Sequence, residues 1–112
     1  SAWELSCSAL AIAENLGVNL EPSEWRIPRK EIMLRRRLWW LTYSLHTWQA
    51  VVFGRPSHIN DSNWDVSKLT MNDFELGDHL TPCIRDAIAQ GIPICMAECD
   101  LSVITSDVLR EF

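Results

Sequence analysis

The 112-residue sequence predicts an all-α protein, an irregular helical bundle around one long central helix that forms part of a larger helical body. Three observations predict it. The stretch Pro28 to Pro56 carries a helix start, an apolar body and a helix stop in one run. The segments on either side keep apolar residues at spacings of three and four. No alternation of apolar and polar residues is long enough to build a sheet.

The first helix is expected over 2–16, where Leu5, Ala9, Ile12, Ala13 and Leu16 keep helical spacing and Gly17 stands at a left-handed cap position. No capping residue is evident at its start, and Trp3 and Leu5 are already in register, so the chain is expected to begin inside a helix of a longer protein. Val18 to Ile27 then forms a connector with Pro22 and Ser23, held down by Leu20, Trp25 and Ile27.

The central helix is expected over 28–53. Pro28 suits the first turn, where its missing N–H costs nothing, and Gly54-Arg55-Pro56 supplies a left-handed cap followed by a residue that cannot continue. Leu34, Leu38, Leu41, Leu45, Trp48 and Val52 alternate spacings of four and three, and this is the face expected to be buried. Ile32, Trp39, Trp40, Tyr43, Ala50, Val51 and Phe53 cover much of the remaining circumference, which puts the C-terminal half in the interior.

Residues 55–80 are expected as a loop, because Ser, Asn and Asp in SHINDSNWDV bond their own backbone, with Ile59, Trp64 and Val66 as anchors. Thr70, Asn72 and Asp73 suit a short capped turn around Met71 and Phe74, and Gly77 is a further break. Thr81-Pro82 opens a helix over 82–90 that stops at Gly91. Pro93 restarts a second over 93–112, with Ala97, Leu101, Ile104, Val108 and Phe112 as its stripe, and this helix too is expected to be cut by the end of the sequence.

Composition excludes disordered and collagen-like classes. No uninterrupted apolar run approaches the ~20 residues of a membrane span, and Ser1 to Leu20 lacks the basic start and cleavage site of a signal peptide. Cys7, Cys83, Cys95 and Cys99 lack zinc-site spacing and are expected as buried thiols. The net charge of −5 opposes a whole-domain grip on nucleic acid. Charge is unevenly spread: Arg26, Arg29, Lys30, Arg35, Arg36 and Arg37 cluster, whereas ten acids between Asp61 and Glu111 face only Lys68, Arg85 and Arg110. Arg35, Arg36 and Arg37 fan over about 200° of helix, so one faces inward and needs a carboxylate. Asp61 or Asp65 is the expected partner of Arg36 or Arg37.

His46, His58 and His79 lie near Asp61, Asp65, Asp78 and the cysteines in sequence, but without metal-ligand spacing, and His46 reads as a satisfied structural histidine. Cys95 and Cys99 are one turn apart and read as small buried hydrophobes. There is no G-x-S-x-G and no phosphate-cradling glycine loop, so no enzyme activity and no cofactor are expected here. Six tryptophans are the compositional outlier. Packing is the commoner role of such residues, and Trp39, Trp40 and Trp48 are expected on buried faces; Trp40, Tyr43 and Trp48 are the candidates to line a ligand site.

The combination Arg36-Arg37-Leu38-Trp39-Trp40, Tyr43, Gly54-Arg55-Pro56, Ile59, Asp61 and Asp65-Val66 resembles the fungal-specific transcription factor domain. This is the regulatory middle homology region of fungal binuclear zinc cluster transcription factors. The resemblance is specific from about Leu10 to Leu69, where Ala11 to Leu20 looks like the family's helix ending in an Asn-Leu-Gly turn. It implies an all-α regulatory domain, a nuclear protein and transcriptional control. It also marks Arg36, Arg37, Trp39, Trp40, Tyr43, Gly54, Arg55, Pro56, Asp61 and Asp65 as the structural and regulatory motif. Where many members carry an acidic-basic pair after the tyrosine, this sequence has His46-Thr47. The family's six-cysteine zinc cluster is absent from these residues, so zinc and DNA contact are expected only in a separate DNA-binding region. The expected partners are the rest of the same chain, a second copy, a coactivator or corepressor, and a small-molecule inducer, with no direct nucleic acid contact and no membrane. The alternative reading is a ligand-free helical scaffold for dimerisation or coactivator docking.

Overall fold

In the computed structural model, which describes residues 1–74 and 81–111, helix α1 (Ala2–Asn15) and helix α3 (Pro82–Arg110) both pack against helix α2 (Arg29–Phe53). Two 3-10 turns, Asp61–Asn63 and Met71–Asp73, punctuate the loop between α2 and α3. The described residues contain no strand, and the chain is all-α as expected. The break expected at Gly77, together with Asp78, His79 and Phe112, lies outside the described residues.

α1 begins with a capping box in which Ser1 accepts the Glu4 N–H and Glu4 reaches back to the Ser1 nitrogen, so the expectation of an uncapped start is corrected. Its end follows the expected route. Gly17 takes φ 73, its N–H donates to the Glu14 carbonyl and the Val18 N–H to the Ala13 carbonyl, which seats Val18 and Ala13 together in the core. α2 starts after Pro28 and ends the same way: Gly54 has φ 61, with Gly54 N–H to Val51 and Arg55 N–H to Ala50. Thr70 and Asp73 form the expected small capping box around Met71.

The expected break at Gly91 and Pro93 does not occur: the segments 82–90 and 93–112 are one helix, α3, with Pro93 inside it and its C-terminal end at Arg110. Pro93 removes one backbone bond and Gly91 costs about 1 kcal/mol of propensity, yet both are local penalties in a helix whose apolar residues continue on either side. Fusing the two segments leaves the expectation of no uninterrupted apolar run intact, since Arg85, Asp86, Glu98 and Asp100 interrupt α3. α3 is long and apolar enough to cross a membrane by length and composition, although Cys99, Ser102 and Ser106 on its inner side pack against the rest of the chain.

The core gathers Leu10 and Ala13 of α1, Val18, the α2 residues Trp39, Trp40 and Tyr43, the loop residues Val66 and Leu69, and Cys99 of α3. α2 therefore buries the opposite face from the one expected. Met33, Trp39, Trp40, Tyr43, His46, Thr47 and Ala50 are inside, whereas Leu34, Leu38, Leu41, Leu45, Trp48 and Val52 are exposed, Leu41 by 63 %. Val51 and Phe53 are also exposed. The reason is volume. Burying a large apolar side chain is worth about 1.5–3 kcal/mol, and the Trp39, Trp40 and Tyr43 side recruits α1, the loop and α3 together, which the leucine side does not. Of the four cysteines expected inside, only Cys99 is buried; Cys7 and Cys95 are half-buried and Cys83, in the first turn of α3, is exposed.

Candidate functional site

Arg36 is the inward-facing member of the arginine triplet, and it joins three separate segments. Its Nε lies 3.1 and 3.2 Å from the two Glu21 carboxylate oxygens, Nη2 donates to Glu21 Oε2 at 2.6 Å, and Nη1 donates to Asp73 Oδ1 at 2.9 Å. The expected partners Asp61 and Asp65 are thus replaced by Glu21 from the connector and Asp73 from the second 3-10 turn. Both carboxylates are further bonded: Glu21 accepts the Ser67 N–H at 3.0 Å and Asp73 accepts the Thr70 N–H at 2.9 Å. Asp65 acts one step away, taking the Glu21 N–H at 2.7 Å. Burial alone would raise the Glu21 pKa, but the Arg36 guanidinium and the Ser67 N–H more than offset it and hold the group at about 2. The Arg36 guanidinium is desolvated, yet its two carboxylates push its pKa upward.

The other cations of this stretch are engaged nearby. Arg35 pairs with Glu31 at 3.2 Å, donates to the Leu16 carbonyl and lies over the Trp25 ring at 5.0 Å. Arg29 donates to the Asn72 carbonyl, and Arg37 donates to the Met33 carbonyl one turn back rather than to any acid.

Beside this junction Trp39, Trp40 and Tyr43 close on Trp64 from the loop, with ring centroids 5.7, 5.5 and 5.4 Å from it. Trp40 Nε1 donates to the Ser67 carbonyl at 2.8 Å, whereas the Trp39 Nε1 and Tyr43 hydroxyl close no hydrogen bond. Trp40 and Tyr43 are therefore walls of the packed core. Trp40 borders two small cavities, of about 70 and 80 Å³, and Trp48, at the exposed side of α2, borders neither.

His46 is completely buried and ties α1 to the loop. Its Nε2 accepts the His58 N–H at 2.9 Å, so the neutral ring carries its proton on Nδ1 and gives it to Ser6 Oγ at 3.3 Å, while Ser6 donates to the Trp3 carbonyl. Trp3 packs on both imidazoles. Desolvation, reinforced by the neighbouring His58, lowers the His46 pKa. This is the satisfied structural histidine the sequence suggested, in the place where an acidic-basic pair was the family expectation. Among the described residues no group of three His, Cys, Asp or Glu is arranged to hold a metal ion.

At the far end of α2, Gly54, Arg55 and Pro56 line a cleft of about 490 Å³ together with Ala50, Val51, Ser57 and Ile59, and with Ser106, Leu109 and Arg110 of α3. Asp61 meets Arg110 here in an ion pair, and Arg110 also reaches Ser106 at 3.1 Å and Asp107 at 3.4 Å. The motif residues thus divide into an arginine junction, an aromatic wall and a cleft. Glu21 and Asp73, the residues that complete the junction, were missed. Glu21 sits in the connector between Leu20 and Pro22, where nothing in the sequence marks it as an inward acid; the fold buries Pro22 fully beside it. Asp73 was read only as a cap.

The description "Fungal specific transcription factor domain" matches residues 1–112. The chain is 40 % identical over 75 residues to the transcriptional activator protein DAL81 of Saccharomyces cerevisiae, covering 66 % of this chain and 8 % of that protein. It is 37 % identical over 67 residues to the acetamidase regulatory protein of Aspergillus fumigatus, covering 60 % of this chain and 9 % of that protein. It is 33 % identical over 66 residues to the cutinase transcription factor 1 alpha of Fusarium vanettenii, covering 59 % and 7 %. The chain therefore spans about a tenth or less of the length of these relatives. No solved structure matches. Matched along its whole length and similar to regulators of transcription, the chain belongs to the fungal specific transcription factor domain family.

Proposed function

We propose that this chain is regulatory structure of a fungal zinc cluster transcription factor, acting in the nucleus on RNA polymerase II transcription in response to a metabolite or protein signal. DNA contact and zinc belong in this reading to a cluster outside these residues, and neither nucleic acid nor membrane is a direct partner. The observation that carries it is the Arg36 junction. One guanidinium holds the connector, the central helix and the post-helix loop in register through Glu21 and Asp73, which is the kind of contact a signal can open or close. The engagement of Arg29, Arg35 and Arg36 with acids and carbonyls of the same chain supports the absence of a phosphate-binding role. In the intact factor, Arg36→Gln is expected to change basal or induced reporter output at equal protein level while promoter occupancy stays at the parent value. Unchanged output, or promoter DNA held by residues 1–112 alone at physiological salt, would overturn the reading.

A second reading, a scaffold for dimerisation or coactivator docking, is favoured by one observation: the exposed stripe Leu34, Leu38, Leu41, Leu45, Trp48 and Val52. Leu41→Glu with Leu45→Glu would then release a partner or a second copy without affecting a metabolite response.

A further inference from the structure

The cleft at the C-terminal end of α2 differs from the rest of the surface in shape and in chemistry. Its volume of about 490 Å³ falls in the range of small-molecule sites, whereas the cavities beside Trp40 hold only about 70 and 80 Å³. Its floor is apolar, from Ala50, Val51, Ile59 and Leu109, and its polar groups are hydroxyls and guanidiniums, Ser57, Ser106, Arg55 and Arg110, with no carboxylate in the lining. The two cations are not equivalent. Arg110 is committed to Asp61 and Asp107, while Arg55, an exposed residue, has no hydrogen bond or ion pair from its side chain to any described residue. Tyr43, seven residues before Ala50 on α2, is fully buried, and its hydroxyl completes no hydrogen bond among the described residues.

We infer that this cleft binds a small amphipathic carboxylate. Its apolar body lies on Val51, Ile59 and Leu109 and its carboxylate is taken by the Arg55 fork, with Ser57 and Ser106 as hydroxyl partners. The carbonyl ends of α2 and α3 both approach the cleft and disfavour an anion. The guanidinium therefore decides the sign of the ligand, and a dicarboxylate is excluded because Arg110 is already neutralised. This inference rests on the reading of the chain as a sensor and names the chemistry of the signal.

The test is calorimetric titration of the intact factor with hexanoate, 1-hexanol and hexylamine, in the parent, in Arg55→Gln, and in Val51→Trp, which fills the floor. Hexanoate is expected to bind more tightly than hexanol, hexylamine not at all, with Arg55→Gln weakening hexanoate tenfold or more and leaving hexanol unchanged. Val51→Trp should abolish both. Equal affinity for all three, or hexanoate binding untouched by Arg55→Gln, overturns the inference, as does absence of any heat in a parent protein whose melt is cooperative. A reporter measured in parallel separates the two levels. Hexanoate binding lost in Arg55→Gln with the transcriptional response intact upholds the cleft and removes its sensor role. A metabolite response that persists without carboxylate binding overturns the cleft and leaves the sensor reading standing.

Discussion

Replacing Arg36 by Gln removes one cation from between two carboxylates, and the size of the effect follows from their surroundings. Asp73 is 2 % exposed, Glu21 15 % and Arg36 20 %. Loss of the cation strands Asp73 as a buried charge with only the Thr70 donors left, and breaking such a pair costs on the order of 3–5 kcal/mol. Glu21→Gln is milder, because the remaining Arg36–Asp73 pair is neutral; it should cost about 1.5–3 kcal/mol, the range of a hydrogen bond to a charged group. Arg36→Gln is therefore expected to exceed either carboxylate variant, and the Arg36–Asp73 double-mutant cycle to give a coupling of about 1–3 kcal/mol. Urea unfolding followed by tryptophan emission measures both. pH supplies an independent check. The Glu21 pKa is about 2 in the folded chain against 4.5 for the free group, so the folded state binds fewer protons. Its contribution is complete above about pH 4.5 and is lost as the pH falls towards 2. Glu21→Gln should remove that acid-side loss. A coupling below about 0.5 kcal/mol, or a Glu21 variant more costly than the Arg36 variant, would refute the account of the junction.

Three further outcomes are expected. His46 has a lowered pKa in the folded chain, so the unfolded chain binds more protons and stability should fall as pH drops below the ordinary histidine value of about 6.5; His46→Asn should flatten that slope in an acid titration of the unfolding midpoint. Gly54→Ala, at φ 61, should destabilise by about 1 kcal/mol, whereas Gly91→Ala, inside α3 with nothing within 4 Å of an added Cβ, should stabilise by about 0.5–1 kcal/mol, and thermal melts distinguish the signs. The paired change Leu41→Glu and Leu45→Glu should reduce binding of a hydrophobic fluorescent dye while lowering the melting temperature by no more than about 2 °C, since both side chains already stand in solvent.

Local chemistry was legible where a single residue type decides the backbone. Gly17 and Gly54 end their helices, Thr81-Pro82 opens α3, and Thr70 with Asp73 closes the small turn, all as their side chains dictate. The face of α2 was not legible from periodicity, because the helix carries two stripes with the same spacing. Leu34 to Val52 is uniformly apolar, while the stripe through Trp39, Trp40, Tyr43, His46, Thr47 and Ala50 includes residues that a hydropathy reading counts as polar. His46 and Thr47 are buried because neighbours from α1 and the loop close over them, and hydropathy does not encode neighbours. The same limit explains the junction. The Arg35–Arg37 run signals a cation needing an acid, but both candidate acids, Asp61 and Asp65, find other partners, in Arg110 and in the Glu21 backbone. At Gly91 and Pro93 the local stop signals are overridden by the apolar residues that continue through them in one helix.

The 25 residues of α2 make a rod about 37 Å long, and the junction at Arg36 stands 18 residues from the cleft residue Gly54. At 1.5 Å per residue that is about 27 Å. A tilt of about 5° pivoting at Arg36 therefore displaces the Gly54 end by roughly 2.4 Å, more than the slack in any hydrogen bond described at either end. The Arg36 junction and the Gly54 cleft stand on one uninterrupted rod, so in a helix that does not bend any displacement at one is geometrically tied to a displacement at the other.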